Sequence, residues 1–441
     1  MLLTSQRGLW NGHTMLTDTV NHWDEDQSSL SRPILMIWLV GMLILLPVEF
    51  FQLPLNVEVA DFWILMGLPI VWIFLILERQ HISLTYAVPI WLVLVATLLG
   101  TLAAAKPSSG VIVFLKESYL FVWFVTLIAV LSRLSARDLR RVMVVWSGVV
   151  ILHGLLIIAQ FLSPEIWRAI SRFAGTSAVY EHYRSAGLFF DADKAGSANK
   201  AAFFQLLGFV PLLAAKPSKK VATILGILLF LSIVCTGSMG ALTALSVGLI
   251  SALIAIAVLS KQHLAFITKI FVQLAIAASL LGAAYLVIGQ YQDKQEHLER
   301  IVRGRAEKSS GGRLARWQRG LDELRDGGTW IWGIGPENFR VVDPLSKQLH
   351  NDLLAFIVER GSLGALGLVL FGVIAASRAV HLLLMYSQYP GRPRLEVVVF
   401  LAAMAAILFE SLTHQIFHAH QVWLVLALQE AMIFRARGFC S

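Results

Sequence analysis

The sequence is short of charge. Only 15% of its 441 residues are Asp, Glu, Lys or Arg, while 57% are hydrophobic and the mean hydropathy is +0.70. That is too little charge to solvate a globular surface of this size, so a soluble multidomain protein is excluded and a lipid environment is required. Cysteine is scarce as well: Cys235 and Cys440 are the two present, and the topology below puts them on opposite sides of the membrane, so no disulfide framework is expected. A basic stretch leading into a short apolar segment is also missing at the start. Residues 1–32 are polar and rather acidic, with Asp18, Asp24, Glu25 and Asp26, which predicts a cytoplasmic tail and an uncleaved first span in place of a cleavable signal. No unit of about 20 to 50 residues repeats, and no pair of interrupted helices is legible in matching halves, as an inverted-repeat transporter would often show. The net charge of +8 would point to nucleic acid in a soluble protein. Here the basic residues gather at the ends of apolar runs, so nucleic acid is not an expected partner.

What is present is a succession of apolar runs from Pro33 onward, each of about 18 to 25 residues and long enough to cross a hydrocarbon core as a helix. Breaks at Pro, Gly and charge place spans near 33–51, 60–78, 84–104, 110–132, 139–162, 199–215, 220–236, 239–259, 264–289, 350–377, 395–413 and 418–436. The expected fold is an all-α integral membrane protein with about twelve transmembrane helices and a large outer loop of short helices between spans 9 and 10. Spans 1–9 fill 33–289 with an outer loop at 163–198; the large loop is 290–349, spans 10–12 fill 350–436, and 437–441 is a tail. Arg79, the group Arg133/Arg137/Arg140/Arg141, Lys216/Lys219/Lys220, Lys261, Arg378/Arg392/Arg394 and Arg435/Arg437 fall on one side. That side is cytoplasmic by the positive-inside rule, which puts both termini inside. The two long outer loops, 163–198 and 290–349, are nonetheless rich in Arg and Lys. Long loops are exempt from the rule, and their charge asks for an anionic ligand.

The residues able to do chemistry lie in or beside those loops. Gly311 to Leu324 reads as an amphipathic helix with Leu314, Trp317, Leu321 and Leu324 on one face. Arg313 borders that stripe and Arg319 points away from it. A guanidinium at such a boundary either forks onto phosphate oxygens or snorkels and pairs with a loop carboxylate. Trp332-Gly333-Ile334-Gly335-Pro336-Glu337-Asn338-Phe339 lacks the Lys-Ser/Thr of a phosphate-binding loop and reads as a structural turn. His350 stands at the start of the tenth span, where a helix N-terminus and nearby arginines would keep it neutral; it is then either a general base or an interfacial hydrogen-bonding residue. Arg184 is a second candidate anion ligand. Asp191 and Asp193 lack a third ligand at metal spacing, so no metal is expected there. Glu359 and Arg360 within the tenth span, with Glu117, Glu410 and Glu430, are expected to pair within the protein. His414 and His418 have helical i,i+4 spacing but no partner in a recognised metal pattern, so with His420 they are read as interfacial hydrogen-bonding residues.

Taken together, Arg184-x-x-Gly187 followed by Asn199, Thr236-Gly237-Ser238, Gly312-Arg313-x-x-x-Trp317, Gly333-x-Gly335-x-x-Asn338-Phe339, His350-Asn351 and Glu359-x-Gly361 resemble, in order, the motifs of the O-antigen ligase and polymerase superfamily. The resemblance implies a GT-C-like glycosyltransferase acting on an undecaprenyl-pyrophosphate-linked glycan, at the periplasmic face of a Gram-negative inner membrane. It implies His350 as base and Arg184 and Arg313 as pyrophosphate ligands, supported by Arg316, Asn199 and Asn351, with neither metal nor other cofactor. A lipid A-core acceptor would make the protein a ligase, another repeat unit a polymerase, and a protein hydroxyl an oligosaccharyltransferase; the ligase is preferred. A transporter or flippase of an anionic lipid-linked glycan is the rival of a different class. One departure is Met239-Gly240 where the family often has Arg-Gly, and the first 150 residues match only in hydropathy.

Overall fold

The computed structural model describes residues 31–48, 58–77, 84–163, 165–166, 168–169, 185–189, 194–259, 312–343, 348–387 and 395–438. All regular structure among them is helical: α1 (Ser31–Leu45), α2 (Val59–Leu77), α3 (Ala87–Ala103), α4 (Pro107–Arg133), α5 (Ala136–Leu162), α6 (Lys194–Leu207), α7 (Phe209–Ala214), α8 (Lys219–Thr236), α9 (Met239–Leu259), α10 (312–327), α11 (Phe339–Val342), α12 (Asp352–Ser387), α13 (Leu395–Ser411) and α14 (His420–Gly438). Six of these, α2, α4, α5, α8, α9 and α12, are long and apolar enough to cross a bilayer, and α1, α3 and α13 are shorter apolar helices. The protein is a multi-pass membrane protein. The expected ninth span at 264–289, most of the 1–32 tail, residues 290–311 of the large loop and Cys440 lie outside the described residues.

The core forms around α14. It is buried from His420 to Ile433 and packs on α4 and α12, so protein rather than lipid covers its Gln429 and Glu430. Trp423 sits in an aromatic cage, with ring centroids 5.4 Å from Phe121, 5.2 Å from Phe124, 5.1 Å from Phe371 and 5.2 Å from Phe417. Around this centre α12 packs on α3 and α13, α13 on α9, α8 on α5 and α6, and α1 on α2 and α5. One end of the bundle is tied by arginines. Arg32 Nε donates to Asp138 Oδ2 at 2.6 Å, and Arg140 Nε donates to Ala215 O at 3.0 Å. Ser135 caps α5 by accepting from Asp138 N at 3.1 Å, as Ser does at helix starts. Glu430 accepts two bonds from Arg378 Nε, at 2.8 Å and 3.0 Å, and one from Tyr86 Oη at 3.1 Å.

Two spans are not continuous helices. The run predicted at 199–215 is α6 and α7 with a joint at Gly208, where Pro211 lacks the N–H that would reach back to Leu207 O. α12 breaks at Gly361, whose φ of 67° and ψ of −169° lie outside helical values. A break leaves backbone groups without partners, which a membrane interior does not tolerate. Residues 330–335 supply them. Ser362 N donates to Trp330 O at 2.7 Å and Leu363 N to Ile331 O at 3.4 Å, while Val358 O accepts from Ile334 N at 2.9 Å and Glu359 O from Gly335 N at 3.0 Å. The approach requires glycine: a Cβ on Gly361 would fall 2.2 Å from Ile331 C, and one on Gly333, at φ 75°, 2.3 Å from Glu359 C. Replacing Gly361 with alanine is therefore expected to destabilise the protein by about 1–3 kcal/mol for a backbone that essentially glycine alone adopts and about 1–3 kcal/mol more for the overlap. A lowered melting temperature in detergent would show it.

Candidate active site

At the bundle end opposite the arginine ties, α10 lies on the start of α12. The contact face differs from the one predicted. Leu324 is fully buried and Trp317 half-buried, but Leu314 is 63% and Leu321 38% exposed. Gly320 explains the rotation, because its Cα comes close enough that a Cβ would sit 3.0 Å from Val358 Cγ2 and 3.2 Å from Leu349 Cδ2. The helix seats on that glycine, which draws Trp317 and Leu324 against Phe339, Leu349 and Val358. Arg319, expected to point away from the stripe, pairs with the buried carboxylate of Asp343.

This seating controls residues 348–350. Trp317 Nε1 donates to Leu349 O at 2.8 Å and Arg316 Nη1 to Gln348 O at 3.2 Å. Arg316, expected to support anion binding, thus has its guanidinium on backbone carbonyls, with Nε also donating to Gly312 O at 2.9 Å. Arg313 is half-buried and, among the described residues, has no hydrogen bond or ion pair. Burial and the neighbouring Arg316 lower its proton affinity, and the attraction of Glu410 opposes them; a guanidinium stays charged under such shifts.

His350 is half-buried and has φ 55°, a left-handed backbone that non-glycine residues hold mainly where the surroundings enforce it. The enforcement comes from both sides. Before it stand the α10 bonds to residues 348 and 349. After it, Asn351 Oδ1 accepts from Leu354 N at 2.9 Å as the cap of α12, and Asn351 Nδ2 donates to Leu412 O at 2.8 Å. Asp352 then accepts from Ile416 N at 3.1 Å and from Phe417 N at 3.4 Å. Asn351 and Asp352 thereby fasten the histidine to the turn between α13 and α14.

That turn brings in groups from distant parts of the chain. His414 Nδ1 is 2.7 Å from Glu410 Oε1 and its Nε2 is 2.9 Å from Asn199 Nδ2 on α6. Gly240 on α9 leaves the ring its room, since a Cβ there would lie 2.5 Å from His414 Cε1. The motif before α9 is mainly a stop and a start: Gly237 ends α8 at φ 62°, and Ser238 Oγ accepts from Ala241 N at 3.4 Å. Gly187 is clasped by Gln160, with bonds of 2.8 Å and 2.9 Å, and Ser185 N donates to Cys235 O at 3.4 Å. Residues 185–189 therefore reach the same end; Arg184, Asp191 and Asp193 lie outside the described residues.

The other two histidines of this turn each find a different carboxylate. His418 Nε2 is 3.2 Å from Glu117 Oε1, and His420 Nε2 is 2.7 Å from Asp61 Oδ1 with Nδ1 3.6 Å from Glu58 Oε2. Ligand atoms of Glu58, Asp61 and His420 lie within 4.8 Å of one another, close enough for a metal ion. Because the two ring nitrogens of His420 face different carboxylates, the group is accounted for as an ion-pair cluster.

Glu410, expected to pair within the protein, does so with His414 of the turn that follows its helix. The i,i+4 spacing of Glu410 and His414 was the legible signal; Asn199 lies too far along the chain to be connected with them by spacing. No curated protein matches the chain. Residues 224–369, about a third of the chain, hold the α8–α9 turn, Arg313, the 330–335 insertion and His350, and they match the family model described as O-antigen ligase, which supports placing this protein in the O-antigen ligase superfamily.

Proposed function

We propose that the protein is an O-antigen ligase, transferring a glycan from undecaprenyl pyrophosphate to a sugar hydroxyl of lipid A-core in a Gram-negative inner membrane. Both termini would be cytoplasmic and the Arg313/His350 end would face the periplasm, as the run of arginines at the other end suggests. The observation that carries the reading is the placement of Arg313, a half-buried cation with no ion pair among the described residues, at the same bundle end as His350, whose backbone is held strained.

The donor carries a good leaving group whose negative charge grows as the glycosidic C–O bond breaks. Arg313, with Arg184, would bind that pyrophosphate and stabilise the departing charge. His350 would take the proton of the acceptor hydroxyl as its oxygen attacks the anomeric carbon, a single displacement with inversion. Asn351 holds His350 in register through its bond to Leu412 O. No residue in this scheme needs a metal to act. The carboxylates on which a transporter reading would build are engaged elsewhere, Glu117 and Glu359 with Arg360 and Glu410 with His414.

The test is transfer by purified protein from undecaprenyl-pyrophosphate-linked glycan to lipid A-core, with and without chelator. Chelator-resistant product on lipid A-core is the expected result. Glycan extended on the lipid carrier would make the protein a polymerase, and movement of intact lipid-linked glycan across proteoliposomes without transfer would make it a transporter. Arg313→Ala removes a charge-assisted contact worth about 1.5–3 kcal/mol, so kcat/KM for the donor should fall by about 10- to 100-fold. An unchanged value would remove Arg313 from the pyrophosphate site.

A further inference from the structure

The bundle end opposite Arg313 and His350 gathers cations without matching acids. Arg32 on α1 and Arg141 on α5 share the carboxylate of Asp138, Arg32 Nε donating to Oδ2 at 2.6 Å and Arg141 Nη1 to Oδ1 at 3.2 Å. Arg140 is tied by its Nε to Ala215 O at 3.0 Å, just ahead of α8, and α8 packs on α5. That contact brings Lys219 and Lys220, the first residues of α8, beside the arginines of α5. Arg137, Arg140, Arg141, Lys219 and Lys220 are all exposed. Asp138, itself buried, is the one acid among the described residues that pairs with any of this group. Arg378, by contrast, has Glu430 to itself.

The placement of these side chains adds to the imbalance. A first helical turn favours Asp and Glu and opposes cations, because the helix dipole is positive there. α8 nonetheless opens on two lysines with no acid in its first turn, and α5 sets Arg137, Arg140 and Arg141 around its single Asp138. Membrane orientation asks for Lys and Arg in the connecting loops; it does not ask for them on the opening turns of two helices packed together. Cations crowded in this way are stabilised by an anion from outside the chain. At the end of a membrane span the anion at hand is a lipid phosphate, whose oxygens accept from guanidinium and ammonium groups alike.

We propose that Arg137, Arg141, Lys219 and Lys220 bind the phosphate of an anionic phospholipid, with Arg32 and Asp138 holding Arg141 in place. In the orientation given above the lipid belongs to the cytoplasmic leaflet; the site itself does not depend on the transferase reading. The test takes the full-length protein in detergent and titrates it with phosphatidylglycerol, phosphatidylcholine or inorganic pyrophosphate, reading bound ligand by native mass spectrometry and the melting temperature alongside. Arg137 and Lys220 have no side-chain hydrogen bond or ion pair among the described residues, so Arg137→Gln and Lys220→Gln should fold as the wild type does. Each is expected to weaken phosphatidylglycerol binding about fivefold and the double variant about 25-fold, with phosphatidylcholine binding unchanged. Equal wild-type affinity for the two lipids, or phosphatidylglycerol affinity unchanged in the double variant, would overturn the proposal. Pyrophosphate binding that is lost in the double variant, with no preference for the anionic lipid, would make the patch a site for soluble phosphate and overturn the lipid assignment. Glycan transfer is not read in this experiment, so failure here leaves the transferase reading standing.

Discussion

Replacing His350 by alanine is expected to lower the rate of glycan transfer by about 10²–10⁴-fold, the usual contribution of a positioned general base. The case is geometric. His350 holds φ 55°, which costs an ordinary residue about 1–2 kcal/mol relative to right-handed backbone. Glycine would hold the same backbone without that cost. The surroundings spend several hydrogen bonds to keep the histidine there, from Trp317 and Arg316 on one side and through Asn351 on the other. His350→Gly therefore separates the two roles of this position. If the imidazole takes the proton, the glycine variant loses transfer as fully as the alanine variant while melting at a temperature no lower than it. A glycine variant that keeps wild-type transfer would leave His350 a turn residue. The donor KM should stay near the wild-type value in both, because the pyrophosphate contacts are assigned to the arginines.

Much of the architecture is legible from local pattern because a bilayer imposes one simple demand, a long apolar helix. Even α14, with Gln429, Glu430 and Arg435, was readable as the last helical segment, although only the packing explains why so polar a helix can be buried. What local pattern does not carry is which polar groups meet. Glu359 and Arg360 were expected to pair within the protein, yet the partner that satisfies Arg360 best, Glu117, is 243 residues away. The break at Gly361 escaped notice for a related reason. Glycine is common in transmembrane helices, and only the arrival of residues 330–335 makes this one a break. The face of α10 was misjudged because hydrophobicity was counted and closeness of approach was not: Gly320 adds nothing to an apolar stripe but decides where the helix sits. At the site, the types and order of His350, Arg313 and Asn199 were legible, whereas the contact of His414 with Asn199 depends on the turn after α13 meeting α6.

The largest expected loss of stability comes from removing Arg360. It lies about 12 Å along α12 from the helix start, at 1.5 Å per residue, and its side chain is 3% exposed. Its Nη2 donates to Glu117 Oε1 at 2.6 Å, its Nη1 to Glu359 Oε2 at 3.4 Å and its Nε to Thr97 Oγ1 at 3.1 Å, and the guanidinium rests 4.2 Å above the Phe356 ring. Thr97 Oγ1 in turn donates to Glu117 Oε2 at 2.6 Å, so one cation joins α3, α4 and α12 beneath the inserted 330–335 segment. Arg360→Leu would leave two buried carboxylates without their cation, a change that costs about 3–5 kcal/mol. Arg360→Leu with Glu117→Leu removes both charges of the main pair, and apolar replacements of a buried pair are often nearly neutral. The double variant should therefore melt above the Arg360→Leu single, a coupling readable in a thermal double-mutant cycle. A strictly additive cycle would mean that Glu117 and Arg360 do not sustain each other. The same variants bear on function, because the network is load carried by the scaffold and not by the chemistry: the double variant, once folded, should retain glycan transfer. Loss of transfer in a stable double variant would instead make this network part of the substrate path and return weight to the transporter reading.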